Sequence, residues 1–145
     1  MAITTSAVCN SFKTDLFAGT HNFTASSGNV FKLAMYISTA TIGKSTTDYL
    51  TAGETSGTNY DAGGKALARA GQLITLETNT ACVDFANVSW QTATITARGA
   101  LIYNNSASTK AVCVLDFGSD KTSTAGTFTI NFPAPTSTQA IIRLA

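Results

Sequence analysis

The stretch that most restricts this fold is residues 94–103, where Ile95, Ala97, Gly99 and Leu101 alternate with Thr94, Thr96, Arg98, Ala100 and Ile102. A period of two marks a strand, because successive side chains leave a pleated backbone on opposite sides. Asn104-Asn105-Ser106-Ala107-Ser108 then reads as a hairpin loop, and residues 110–118 return as its partner with Ala111, Cys113, Leu115 and Phe117 on one face.

The same period recurs along most of the chain. Residues 30–38 place Phe31, Leu33, Met35 and Ile37 on one face and Lys32 and Tyr36 on the other. Residues 65–77 hold two strand-like runs around Gly71, residues 81–85 and 88–90 are short strands, and residues 120–125 form a polar turn. Residues 127–133 align Phe128, Ile130 and Phe132, and residues 140–144 close the chain as an apolar strand. Residues 39–64 are rich in Gly, Thr and Ser and read as a long loop, a feature usually functional or mobile. One helix interrupts the pattern over residues 6–18: Ser6 is placed as N-cap, Val8, Cys9, Phe12 and Leu16 share a face, and Gly19 ends it. Seven or eight short strands separated by turn signals predict a mainly β, sandwich or jelly-roll-like single domain over residues 1–145.

Composition agrees with strands. Charged residues make up 12% of the 145 residues, about half the usual share, and Thr, Ser and Asn fill the gap. Threonine is β-branched and favours pleated surfaces. The net charge is +1 and the Lys and Arg residues are scattered singly, which argues against nucleic acid as a main partner. No apolar run reaches membrane-spanning length, and no signal peptide is expected. Cys9, Cys82 and Cys113 are odd in number and lack metal-ligand spacing, so buried free thiols are expected, with a Cys82–Cys113 bridge left open.

Little in the sequence points to catalysis. His21 is the only histidine, and its place just after the helix fits carbonyl pairing better than a nucleophilic triad. Asp84 and Asp116 would approach only if their strands pair, and a salt bridge from Arg98 to one of them is the favoured outcome. Gly43-Lys44-Ser45 lacks the earlier glycine of a phosphate loop, and Asp116-Phe117-Gly118 lacks every other kinase element. No enzyme activity, cofactor or metal is expected. Tyr36, Tyr49, Tyr60, Trp90 and Tyr103 are expected mainly as core or contact residues, with a sugar-binding platform as the alternative.

The segment from Trp90 through Thr94-Ile95-Thr96-Ala97-Arg98-Gly99-Ala100-Leu101-Ile102-Tyr103-Asn104 resembles a family of small virion proteins of tailed bacteriophages. The Gly-rich tract 56–64, residues 111–118 and 128–133, the Cys9-Asn10-Ser11-Phe12-Lys13 helix and the Ala140-Ile141-Ile142-Arg143 end carry the resemblance across nearly the whole chain. The resemblance implies a structural role in the virion after synthesis in the bacterial host cytoplasm. The first expectation is a capsid decoration (cement) protein that binds the major capsid protein lattice as a homodimer or homotrimer. Tail, neck or baseplate proteins are the alternative partners, and a host-glycan-binding module is a second alternative. Expected contact residues are Val8, Phe12 and Leu16 on the helix, Tyr49 and Tyr60 in the long loop, and Ile141, Ile142 and Leu144 at the end.

Overall fold

The computed structural model describes residues 3–69 and 73–145, and the break expected at Gly71 lies outside them. In chain order the elements are β1 (Ala7–Val8), α1 (Asn10–Phe17), β2 (Phe31–Tyr36), β3 (Lys65–Ala66), β4 (Ile74–Glu77), β5 (Thr80–Val83), β6 (Val88–Asn104), β7 (Lys110–Ile130) and β8 (Ile142–Leu144). They form two antiparallel sheets, ordered β1-β7-β6-β2-β3 and β4-β5-β8. The fold is therefore mainly β with one short helix.

The β6–β7 hairpin dominates, with strands of 17 and 21 residues. Residues 88–90 and 94–103, expected as separate strands, are one strand. Residues 120–125, expected as a polar turn, belong to the middle of β7. Asp, Ser, Thr and Gly here carry turn chemistry locally, but pairing of Ile95, Thr96 and Ala97 with Ser123, Thr122 and Lys121 supplies backbone partners and overrides it. The misfit is absorbed by register shifts, around which Thr92, Gly118 and Ala125 take φ values of +48°, +77° and +46°. The expected hairpin loop is present, with Ser106 N–H donating to Asn104 Oδ1 at 3.1 Å.

The helix starts later than expected. Ala7 and Val8 pair with Val114 and Cys113 as β1, and Cys9 occupies the N-cap without a side-chain cap bond. Ser6, expected there, instead accepts the Asp116 N–H on its hydroxyl at 2.8 Å. Pairing with the sheet thus takes the residues that a free helix would have used for its first turn. The end matches expectation. Gly19 adopts φ +75°, its N–H reaches Leu16 O, and Thr20 N–H reaches Asp15 O, the paired closure of a left-handed helix end.

The middle of the larger sheet is buried on both faces. Antiparallel register puts Phe31, Leu33 and Met35 on one side with Asn104, Ile102 and Ala100. There Phe31 stacks on Phe23 at 4.4 Å, and Phe12, His21 and Phe85 complete an aromatic cluster. The opposite side carries Ala34 and Tyr36 with Leu101 and Tyr103, all buried. Two-sided burial explains why β2 reads less cleanly than an alternating strand and why Tyr36, expected opposite the core face, is fully buried. The last strand is shorter than the expected 140–144, because only Ile142–Leu144 pairs with β5. All three cysteines are free and buried; Cys82 lies in β5 and Cys113 in β7, in different sheets, so the Cys82–Cys113 bridge is not formed.

Candidate docking surfaces

The 39–64 loop is irregular, as expected, but it is bonded to the sheet along its length. Its backbone reaches β2 through Ile37 N–H to Gly53 O at 3.0 Å and Thr55 N–H to Met35 O at 2.9 Å. It reaches the other end of the sheet through Ala111 N–H to Thr47 O at 2.9 Å. All four tyrosines of the chain join this seam. Tyr36 donates to Leu50 O at 2.6 Å, and Tyr103 donates to Gly63 O at 2.7 Å while stacking on Tyr49 at 4.9 Å. Glu54 collects the hydroxyls of Tyr49 and Tyr60 and the N–H of Gly63, and Tyr60 in turn accepts Met35 N–H at 2.8 Å. Tyr36 and Tyr103 reach from the sheet to loop carbonyls, while Tyr49 and Tyr60 on the loop bond Glu54, so each ring packs at the seam with its hydroxyl satisfied.

These tyrosines make alkaline stability a direct readout. Burial pushes all four hydroxyls above the ordinary value of 10, with Tyr103 raised to about 12. A raised folded-state value for an acid favours the neutral form in the native chain. Its stability contribution is whole below pH 10 and is lost as pH rises from there through the folded values. Burial raises Cys9, to about 11, and Cys113 in the same sense. The melting temperature is expected to fall steeply above about pH 10. Tyrosinate absorbance should appear together with the loss of far-ultraviolet circular dichroism; free titration of all four rings near pH 10 with the fold intact would refute the buried seam.

A second polar cluster lies beneath the helix. Asn104 is fully buried, and its Nδ2 lies 2.9 Å from Asn29 Oδ1 and 3.1 Å from His21 Nδ1. An amide donor facing Nδ1 makes that nitrogen the acceptor and leaves the proton on Nε2, 4.0 Å from Asp15 Oδ2. Burial lowers the His21 pKa, and Asp15 opposes this. The ring is a member of the aromatic cluster, 4.8 Å from Phe12 and 6.4 Å from Phe31. Arg98 pairs with Asp116 at 3.1 Å, one of the two partners expected, while Asp84 follows β5 in the other sheet and its strand does not pair with β7. Asp116 also accepts Gly118 N–H at 2.9 Å, so the Asp116-Phe117-Gly118 triplet is used locally. Among the described residues no three His, Cys, Asp or Glu side chains are grouped to hold a metal, and no helix is long and apolar enough to cross a membrane.

The surface available for docking differs from the expected one. Phe12, Tyr60 and Ile142 are buried in the chain's own core, because the helix, the loop and β8 pack inward on those side chains. Val8, Leu16, Tyr49 and Ile141 are half-buried against that core, and Leu144 is exposed. A platform of aromatic rings is not on the surface: Tyr36, Tyr60, Trp90 and Tyr103 are all buried.

Sequence reading missed the outer side of β7. Among the described residues β1 covers this strand only at Cys113 and Val114, so residues 117–130 offer an unpaired edge. Beside it runs an open groove of about 720 Å³ lined by Asp116, Phe117, Phe128, Phe132, Pro133 and Ile141, among others. The signal was hidden because residues 120–125 read as a turn, which cuts the long edge into two short strands. No protein-family model, curated protein or solved structure matches the chain.

Proposed function

We propose that this chain is a structural protein of a tailed-phage virion, a decoration protein that binds the major capsid protein lattice, with its two sheets arranged as a small jelly-roll-like sandwich. The observation that carries the reading is the free edge of β7 along residues 117–130 beside the groove. A strand edge offers a row of unpaired N–H and C=O groups, and an extended arm of a neighbouring subunit docks there by adding a strand. Bulges near Gly118 and Ala125 and the charges of Asp120 and Lys121 restrict that edge to a matched partner. The hydroxyl-rich, weakly charged surface suits contacts repeated many times on one shell, where avidity replaces affinity. The resemblance carried by Trp90 and residues 94–104 supports the same reading.

Densitometry of purified virions tests it. The chain is expected in copy number comparable to the major capsid subunit. A few copies per particle would move it to the tail, neck or baseplate, and its absence from particles would end the proposal.

A further inference from the structure

The three-stranded sheet is turned the wrong way round for an isolated molecule. Its register aligns Ile74 with Val83 and Ile142, and Leu76 with Ala81 and Leu144. Directly opposed residues share a face, so all six of these apolar side chains lie on one side of the sheet. Ile142 and Val83 tuck one corner of that side against the core, whereas Ile74, Leu76 and Leu144 remain 46%, 73% and 59% exposed. The other side carries Thr75, Glu77, Thr80, Cys82 and Arg143, and the chain's own 136–139 turn sits against it. Arg143 Nη1 donates to Ser137 O at 2.8 Å, Cys82 Sγ donates to Thr136 O at 3.4 Å, and Glu77 accepts Ser137 N–H. Among the described residues the polar face is thus covered and the apolar face is left open.

We infer that this apolar face is a two-fold interface with a second copy of the same chain, sheet packed on sheet. Size and charge both point to that occupant. Three side chains at these exposures leave roughly 350 Å² of apolar surface open, and a standard interface takes about 800 Å² from each partner around a dry centre. The open patch fills such a centre, and the exposed Thr78, Asn79 and Ala145 at its margin extend it. A two-fold interface must complement itself, since each patch meets its own copy. A charged patch would meet like charge; this face has no ionisable group among its six residues, so it stacks on itself without that cost. Two sheets at the usual spacing of about 10 Å interdigitate Leu76 and Leu144 with the partner's side chains. This assignment goes beyond capsid binding, because it uses a face remote in the fold's pairing order from β7 and requires no shell.

Sedimentation velocity of the full chain over a concentration series tests it. The wild-type chain is expected to pass from monomer to dimer within the micromolar range. Leu76→Lys combined with Leu144→Lys should weaken association by about 30-fold or more while circular dichroism and melting stay near wild type, since both side chains point to solvent in the monomer. The matching pair of Glu substitutions should behave alike, and a mixture of the Lys and Glu forms should regain the dimer. A wild-type monomer throughout the series, an unweakened charge variant, or a mixture that stays monomeric would overturn the interface. So would a monomer whose binding to purified shells is abolished by Leu76→Lys, which would give the face to the shell. Copy number per virion does not enter these outcomes, so the two readings fail separately.

Discussion

Replacing Glu54 by Leu is expected to destabilise the chain by about 3–5 kcal/mol, the largest effect of any single polar substitution in the loop. The carboxylate accepts from the hydroxyls of Tyr49 and Tyr60 and from Gly63 N–H, and all three donors sit where the loop meets the sheet. Leucine keeps much of the volume and removes every acceptor, leaving three donors unsatisfied at a partly buried seam. Glu54→Gln keeps one oxygen and should lose about half as much. Chemical denaturation gives the magnitude. Hydrogen exchange gives the place: faster exchange should be confined at first to residues 50–64 and the adjoining β2 amides, before global unfolding. A loss below about 1 kcal/mol in Glu54→Leu would show that apolar packing alone holds the loop.

Gly64→Ala should cost a similar amount by a different route. Gly64 adopts φ +68°, and a Cβ built there would stand 1.8 Å from Leu33 O and 2.7 Å from Ala34 Cα. The obstructing atoms are the backbone of a central strand, so no side chain can swing away. Left-handed strain alone is worth about 1–2 kcal/mol in a residue with a Cβ, and the displacement of β3 from β2 adds to it, for a total of about 3–5 kcal/mol. The variant should melt well below wild type. Gly19→Ala is the control: its φ is also positive, but an added Cβ there meets nothing within 4 Å, so only the strain is lost. Equal melting of the two variants would mean that close approach to β2 contributes nothing.

The central hairpin was legible because two strand-like runs, residues 94–103 and 110–118, flank a polar loop, and the helix end because Gly19 has a single good use. The sequence concealed the length of β7. Serine, threonine, aspartate and glycine over residues 118–126 carry the local chemistry of a turn, and only the partner strand, distant in sequence, decides otherwise. The helix start failed for the same reason: Ser6 is a sound N-cap taken alone, yet sheet pairing of Ala7 and Val8 competes for the same backbone. For the candidate surfaces, periodicity tells which residues are apolar but not which of two apolar faces the chain itself will cover. Phe12, Tyr60 and Ile142 look as eligible for a partner as Leu76 and Leu144 until tertiary packing claims them. Leu76 falls in the second strand-like run but is not among the expected contacts, because that run is short and irregular in hydropathy.

The three interior thiols have a practical corollary. Cys9, Cys82 and Cys113 are sealed from solvent in the native chain, so alkylating reagents reach them only when the structure opens. Their labelling rate becomes an intrinsic clock for opening events, with Cys82 timing the small sheet and Cys113 the large one. A single cysteine engineered onto the exterior would react alone, without removal of the natural three, and so would accept a probe or a tether at one chosen point.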